Sequence, residues 1–237
     1  NESKRYIYTW NDLDNDGEVD QATEWLPFAT QDWSTHSVSG GRAPINIDFG
    51  VQTNAEVNDI VSWVRGKDDL ADATLRSREV PTPPNFSLTG SPTSMTWRLG
   101  DVIGSTPTAV GRPAEGLHLI YRDASYGSFV NKYRHRRHVI YFGGNDGMLH
   151  AVNGGFYDDE NMKFWNSATV DVNGQVSFGT SGPALGAELW AYVPYNLLPQ
   201  LKCLKEPDYQ HIYFVDMKPR IFDVRIFNDD ATHPNGW

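Results

Sequence analysis

The sequence predicts an all-β fold, and three observations carry that prediction. Turn formers are abundant, with 21 Gly and 14 Pro in 237 residues, more than a helical bundle would hold. Apolar residues come in short runs rich in β-branched and aromatic types, such as Lys4-Arg5-Tyr6-Ile7-Tyr8-Thr9-Trp10 and His138-Val139-Ile140-Tyr141-Phe142, which suit a pleated, half-buried surface. Turn signals containing Gly, Asn and Asp separate these runs. A chain of this length can bury a real core, in one large domain or two small ones.

Taken in order, Lys4–Trp10 reads as a strand, and Glu24-Trp25-Leu26-Pro27-Phe28 reads as its return partner or an apolar lid. The polar, Gly-rich stretch from Asp32 to Gly50 reads as loop. Asn54 to Gly66 predicts the clearest helix: Val57, Ile60, Val61 and Val64 recur at helical spacing, Thr53 or Asn54 can cap the start, and Gly66 can end it. Arg76 to Thr96 is rich in Pro, Ser and Thr without periodicity, so a connector is expected there.

The pattern then changes to short strands. Thr106–Val110 is one and His138–Phe142 a second; Gly143-Gly144-Asn145-Asp146-Gly147 turns the chain into Met148–Val152, and Glu188–Val193 is a fourth. Four short antiparallel strands ending in Gly-x-Glu-Leu-Trp read as one blade of a β-propeller, with Arg112 to Arg137 a long insertion between its first two strands. Asn196 to Leu204 predicts a short helix with Pro199 near its first turn. His211–Asp216 and Arg220–Phe227 read as further strands, the second opening a new blade that Trp237 leaves incomplete. The expected organisation is a fragment of a propeller: residues 1–96 hold a hairpin, a helix and an irregular connector, and residues 97–237 hold the blade region.

Charge locates the most informative motif. No Lys or Arg lies between Arg5 and Arg42, while Asp12, Asp14, Asp16, Glu18, Asp20, Glu24 and Asp32 all fall there. These carboxylates repel one another unless something cationic sits among them. Asp12-Leu13-Asp14-Asn15-Asp16-Gly17-Glu18-Val19-Asp20 places Asp at loop positions 1, 3, 5 and 9 and Gly at 6. Calcium takes ~6–8 oxygen ligands, and this spacing wraps oxygens around one point. Asp12, Asp14 and Asp16 would each give carboxylate oxygen, Glu18 its backbone carbonyl, and Asp20 would close the shell directly or through water. Position 12 is Thr23, not the bidentate Glu of a helix-loop-helix hand, so the loop is expected inside a β-hairpin. Magnesium is disfavoured because it demands a tighter octahedron.

Other motifs read more plainly. His135-Arg136-Arg137-His138, with Lys132 and Arg134, is the basic cluster; no third zinc ligand accompanies its two histidines, and it reads as a solvated edge leading into a strand. Asn145-Asp146-Gly147 reads as a hairpin turn, Asp158-Asp159-Glu160 as a solvated loop, and Cys203 as a buried structural thiol. A lone Cys excludes an internal disulfide. A net charge of −10 argues against nucleic acid as the main partner, and no apolar run approaches the ~20 residues that span a bilayer. The beginning Asn1-Glu2-Ser3 leads us to expect a processed product or an internal piece of something longer. Neither a Gly-x-Ser-x-Gly elbow nor a phosphate-binding glycine loop is present, and no acid–base pair is selected by spacing, so no enzyme is expected.

Trp97-Arg98-Leu99-Gly100-Asp101-Val102-Ile103-Gly104-Ser105-Thr106-Pro107 and Tyr141-Phe142-Gly143-Gly144-Asn145-Asp146-Gly147-Met148-Leu149-His150-Ala151 resemble the PilC/PilY family of type IV pilus tip proteins. Gly186-Ala187-Glu188-Leu189-Trp190-Ala191-Tyr192-Val193-Pro194, Asn196-Leu197-Leu198-Pro199 and the segment from Val224 to Trp237 extend the likeness. The resemblance implies a modified β-propeller in a secreted protein at the pilus tip or cell surface. It also implies a Ca2+ loop at Asp12, Asp14, Asp16, Glu18 and Asp20, and work in pilus assembly, opposition to retraction, twitching motility and adhesion. Pilins or minor pilins and a host or abiotic surface would be the partners. Where some members carry an Arg-Gly-Asp triplet, this chain has Arg65-Gly66-Lys67-Asp68, so integrin-type recognition is not implied. The alternatives are a quinone-dependent dehydrogenase, whose propellers share the Asn-Asp-Gly hairpin and the Glu-Leu-Trp strand but often carry a vicinal Cys pair, and a generic secreted calcium-stabilised binding module.

Overall fold

The computed structural model describes residues 4–12, 14, 16, 22–36, 48–67, 74–82 and 94–237. In chain order the elements are strands β1 (Ile7–Trp10) and β2 (Trp25–Pro27), helix α1 (Asn54–Arg65), strands β3 (Glu79–Pro81), β4 (Ser94–Thr96) and β5 (Thr108–Val110), and helices α2 (Leu117–Ile120) and α3 (Ala124–Tyr133). Strands β6 (His138–Gly143), β7 (Leu149–Asp158), β8 (Lys163–Trp165), β9 (Ser167–Val170), β10 (Val176–Gly179) and β11 (Glu188–Tyr192) follow, then helix α4 (Leu201–Leu204). The chain divides into two compact units. The first comprises residues 1–104, 143–149 and 190–216, and the second residues 105–142, 150–189 and 217–237.

In the first unit, β1 pairs antiparallel with β2, with Tyr8 opposite Pro27 and Trp10 opposite Trp25, and parallel with the end of β11, with Ile7 beside Ala191. The small sheet is therefore mixed. Its side chains alternate as a strand requires: Ile7, Thr9, Leu26 and Ala191 point inward and are buried. The inward face packs into a core with Val57, Ile60, Val61 and Val64 of α1 and with Phe28, Trp33, Phe49, Leu198, Leu201 and Leu204.

Helix α1 forms where its sequence predicts. Thr53 caps it, accepting the Glu56 N–H while the Glu56 carboxylate accepts the Thr53 N–H at 2.9 Å, and Gly66 ends it at φ +103°. Two arginines lock it to the sheet. The Arg65 guanidinium donates to the Phe28 and Arg5 carbonyls at 2.6 and 2.9 Å, and that of Arg5 to the Val64 and Arg65 carbonyls at 3.3 and 3.1 Å. Carbonyls that a helix end leaves without intrahelical partners are thus satisfied.

The outward face of the same sheet is unusual. Tyr8, Trp10, Trp25, Trp190 and Tyr192, with Leu149, line a cavity of about 650 Å3. An antiparallel sheet with one solvated face would place polar residues there, so this sheet is apolar on both sides.

In the second unit β5, β6, β7 and the start of β11 lie in that order, and Val110 sits opposite Val139. The four expected blade strands are therefore neighbours. β8 pairs with β7 across the turn expected to be a solvated loop, and β9 pairs with β10 in a stretch for which the sequence carried no expectation. Asp158, expected in a solvated loop, is buried at the end of β7. Its carboxylate accepts the Glu160 and Asn161 N–H groups at 3.1 Å each and the Trp165 indole N–H at 3.2 Å, which closes the turn.

The insertion between β5 and β6 is helical. Asp123 caps α3 by accepting the Ser125 and Tyr126 N–H groups, and Tyr126, Phe129 and Trp237 form a separate small core. The Tyr126 hydroxyl donates to Asp223 at 2.7 Å, and burial together with that carboxylate pushes its pKa up to about 12.

Several expectations are corrected. The fold is mostly strands in a mixed sheet with some helices, and the helical part is larger than a short insertion: α1 and α3 supply 12 and 10 residues. No closed barrel is present among the described residues. The connector from Arg76 to Thr96 contains the paired strands β3 and β4. Residues 211–227 form no strand, although their composition favours one; in the first part of the segment side chains take backbone groups, the Ile212 N–H donating to the Tyr209 hydroxyl and the Phe214 N–H to Asn145 Oδ1. Tertiary context decides β structure more than propensity does. Cys203 is half-buried in α4, not fully buried. Among the described residues no helix is long and apolar enough to cross a membrane.

Helix α1 should be the sensitive element of the first unit. Thr53→Ala should cost about 1 kcal/mol through the lost cap, and Trp33→Ala about 3–5 kcal/mol through the cavity it leaves. Urea unfolding followed by circular dichroism measures both; Thr53→Ser should stay near the parent value.

Candidate metal centre

The acidic loop joins β1 to β2, as expected, and the ladder continues one step into it. The Asn11 N–H donates to the Glu24 carbonyl at 3.0 Å, and both residues are buried. This neck fixes where the first and last carboxylates of the loop can lie. One carboxylate oxygen from each of Asp12, Asp14 and Glu24 falls within 4.8 Å of the others. Asp16 takes part through its backbone, its N–H donating to Asp12 Oδ1 at 3.1 Å. Such a bond from an amide four residues on is how an acidic turn curls around its first side chain.

Of the five residues expected to hold an ion, the structure brings Asp12 and Asp14 together and places Asp16 beside them through its amide. Glu18 and Asp20 lie outside the described residues, as does Gly17. Glu24 is the participant that sequence reasoning missed. Counting along a 12-residue hand stops at Thr23, whereas the hairpin register returns Glu24 to the mouth of the loop. A buried Glu one residue beyond the hand, opposite the strand end that opens the loop, was the signal.

The donor set is all oxygen, which suits a hard divalent cation. Opposed ligands ~2.3–2.6 Å from a calcium ion stand about 5 Å apart, and these oxygens lie within 4.8 Å of one another. The electrostatics agree with a clustering of negative charge. Desolvation first, then the neighbouring charges of Asp16, Glu24 and Asp12, push the Asp14 carboxyl above its ordinary value, and a hydrogen bond from the Asp16 backbone opposes them.

The Asn145-Asp146-Gly147 turn between β6 and β7 is a different kind of node. Asp146 accepts the Gly100 N–H at 3.0 Å, and Asn145 donates to Asp101 at 3.1 Å while accepting the Phe214 N–H at 3.0 Å. Gly100 has to be glycine, since a Cβ there would run into the backbone of Asn145 and Asp146. The His211 ring stands 2.9 Å from Asp101. Burial alone would raise the Asp101 carboxyl, but hydrogen bonds from His211 and Asn145 outweigh it and hold the group below the usual range. These side chains tie loops together within the first unit, which is the work of a structural turn.

No protein-family profile matches the chain, and no solved structure matches it. Curated relatives do. A PilY1 homologue of Xylella fastidiosa is 32% identical over 188 residues, covering 76% of this chain and 10% of that protein. PilY1 of Pseudomonas aeruginosa is 27% identical over 227 residues, covering 86% of this chain and 17% of that protein. A further X. fastidiosa homologue is 31% identical over 129 residues. The chain belongs to the PilY1 family. It spans about a tenth to a sixth of the length of these relatives.

In metal-free buffer the Asp14 carboxyl should titrate above 3.8. A raised acid favours its neutral form in the folded loop, so this contribution to stability is full below that value and is lost as pH rises through the raised one. Asp16→Asn and Glu24→Gln should each move the midpoint back down, read by NMR of the side-chain carboxyl. A midpoint indifferent to Glu24→Gln would mean the charges are not clustered.

Proposed function

We propose that this chain is the calcium-binding part of a type IV pilus-associated protein that serves pilus assembly, retraction control and surface adhesion, at the pilus tip or cell surface. The observation that carries the reading is the convergence of Asp12, Asp14 and Glu24 in one hairpin loop, in a chain of the PilY1 family. Relatives named as type IV pilus biogenesis factors supply the biological setting. Asp12, Asp14 and Glu24 would hold the ion, with Asp16, Glu18 and Asp20 completing its shell. The ion would supply positive charge among carboxylates that otherwise repel, and would staple the ends of β1 and β2.

The same reading takes β5, β6, β7 and β11 as a blade of a modified β-propeller. Two features support it: the neighbouring order of those strands, and an aromatic outer face on β1, β2 and β11 of the kind that stacked sheets bury against each other. Pilins or minor pilins, and a host or abiotic surface, are the partners it implies. No catalytic role is proposed.

Calorimetric titration to millimolar calcium tests the ion, because extracellular modules commonly bind at ~10⁻⁴–10⁻³ M. Calcium at a hundredfold its dissociation constant should stabilise the native chain by about 2.7 kcal/mol, and EDTA should reverse this. Glu24→Gln and Asp14→Ala should weaken binding about tenfold or more, since ligand charge sets affinity. Absence of binding at millimolar calcium would sink the proposal. Chromosomal Glu24→Gln, with surface pili counted and twitching measured, tests the biology: a changed balance of extension and retraction makes the ion a regulator, and unchanged pili make it a staple.

A further inference from the structure

The basic cluster singled out in the sequence leads into a strand, as expected, with Lys132 and Arg134 exposed and His135 to His138 half-buried. Arg134, His135 and Arg136 occupy the turn between α3 and β6, and His138 opens β6. The fold adds Arg112, from the loop after β5, and Tyr157 and Asp159, from the far end of β7. Together these seven residues line one cavity of about 80 Å3 within the second unit. Three arginines and one acidic residue thus line it, in a chain whose net charge is −10.

Local structural demands account for some of this charge but not all. Lys132 and Arg134 suit the C-terminal end of α3, where a helix favours cations. Arg136 donates to the Gly111 carbonyl and stands 3.5 Å from Asp223. Arg137 turns elsewhere, donating to Asn153 at 2.7 Å and lying over the Phe156 ring. Arg112 belongs to no helix end. Neither it nor Arg134 makes a side-chain hydrogen bond or ion pair among the described residues. The His138 ring is half-buried against Gly111, where a Cβ would collide with it, and its Nδ1 is buried with no hydrogen-bond partner. Burial first, then the charges of Arg112 and Arg136, push the His138 pKa down, against a hydrogen bond with Gly155 and the charge of Asp159. Like charges are being held together.

We propose that this pocket binds a tetrahedral oxyanion, a phosphate or sulfate group. Guanidinium forks match the oxygens of such a group. The His135 and His138 rings and the Tyr157 hydroxyl add further polar groups, and a cavity this small takes one anionic group, not a nucleotide or a stretch of nucleic acid. Its charge would relieve the mutual repulsion of Arg112, Arg134 and Arg136.

The test is calorimetry of the native chain at constant ionic strength with inorganic phosphate, sulfate and, as a planar anion, nitrate. Phosphate or sulfate should bind about tenfold or more tightly than nitrate, and Arg112→Gln and Arg134→Gln should each weaken binding about tenfold, the scale of a lost charge-assisted bond. Arg122→Gln, an exposed arginine outside the pocket, should change nothing. Broadening of the ³¹P resonance of phosphate by native protein gives a readout that needs no variant. Glucose 6-phosphate separates the sources: binding as tight as phosphate means the group is read on a larger molecule, and weaker binding means a free anion is the ligand. Equal binding of nitrate, equal loss in Arg122→Gln, or no binding of either tetrahedral anion would overturn the proposal.

Discussion

The first unit depends on β1 having to satisfy two neighbours at once. Its hydrogen bonds go to β2 a few residues away and to the end of β11 across most of the chain. A parallel partner needs a long crossover, so this pairing closes only after the intervening chain has been placed. Ile7 and Thr9 reach the core on one side of β1, while Tyr8 and Trp10 form the aromatic face on the other. Because strand side chains alternate, a slip of one residue would exchange the two faces. The Arg5 and Arg65 bonds at the start of β1 pin that register to α1.

Register also decides the chemistry of the acidic loop. Acidic residues at five alternate positions, Asp12, Asp14, Asp16, Glu18 and Asp20, describe a solvated turn equally well. What gathers charge at one point is the Asn11–Glu24 bond, which makes the hairpin neck narrow and returns a buried carboxylate to the residues that open the loop. Buried charge is tolerated only when compensated. No Lys or Arg lies between Arg5 and Arg42, so any cation that compensates these charges comes from outside that stretch of chain.

Features determined by neighbouring residues were legible in the sequence. β1, β2 and α1 with both its caps fall here, as do the Asn145-Asp146-Gly147 turn and the strands flanking it. Features determined by distant residues were not. Glu24 was visible as a charge but not as a member of the cluster, because membership follows from cross-strand register. Arg112 lies far in sequence from His135 and joins it only through the fold. The segment from His211 to Phe227 misled in the opposite direction: alternating apolar residues read as strands, yet at Ile212 and Phe214 the Tyr209 and Asn145 side chains take the N–H groups a ladder would need. β8, β9 and β10 are only three or four residues long, too short for alternation to stand out from a loop.

The loop and the aromatic face are one ladder step apart, and this links them mechanically. Trp10 and Trp25 are directly opposite each other, and the next pair outward is Asn11 and Glu24. Cross-strand pairs at this spacing pack side chain on side chain, so the distance between β1 and β2 at the neck sets how Trp10 meets Trp25. If the loop held calcium, the ion would draw the two strand ends together where the aromatic face begins, and without it repulsion among Asp12, Asp14 and Glu24 would press the neck apart. Such an ion would act on an apolar surface that it never touches, through the backbone hydrogen bond from Asn11 to Glu24.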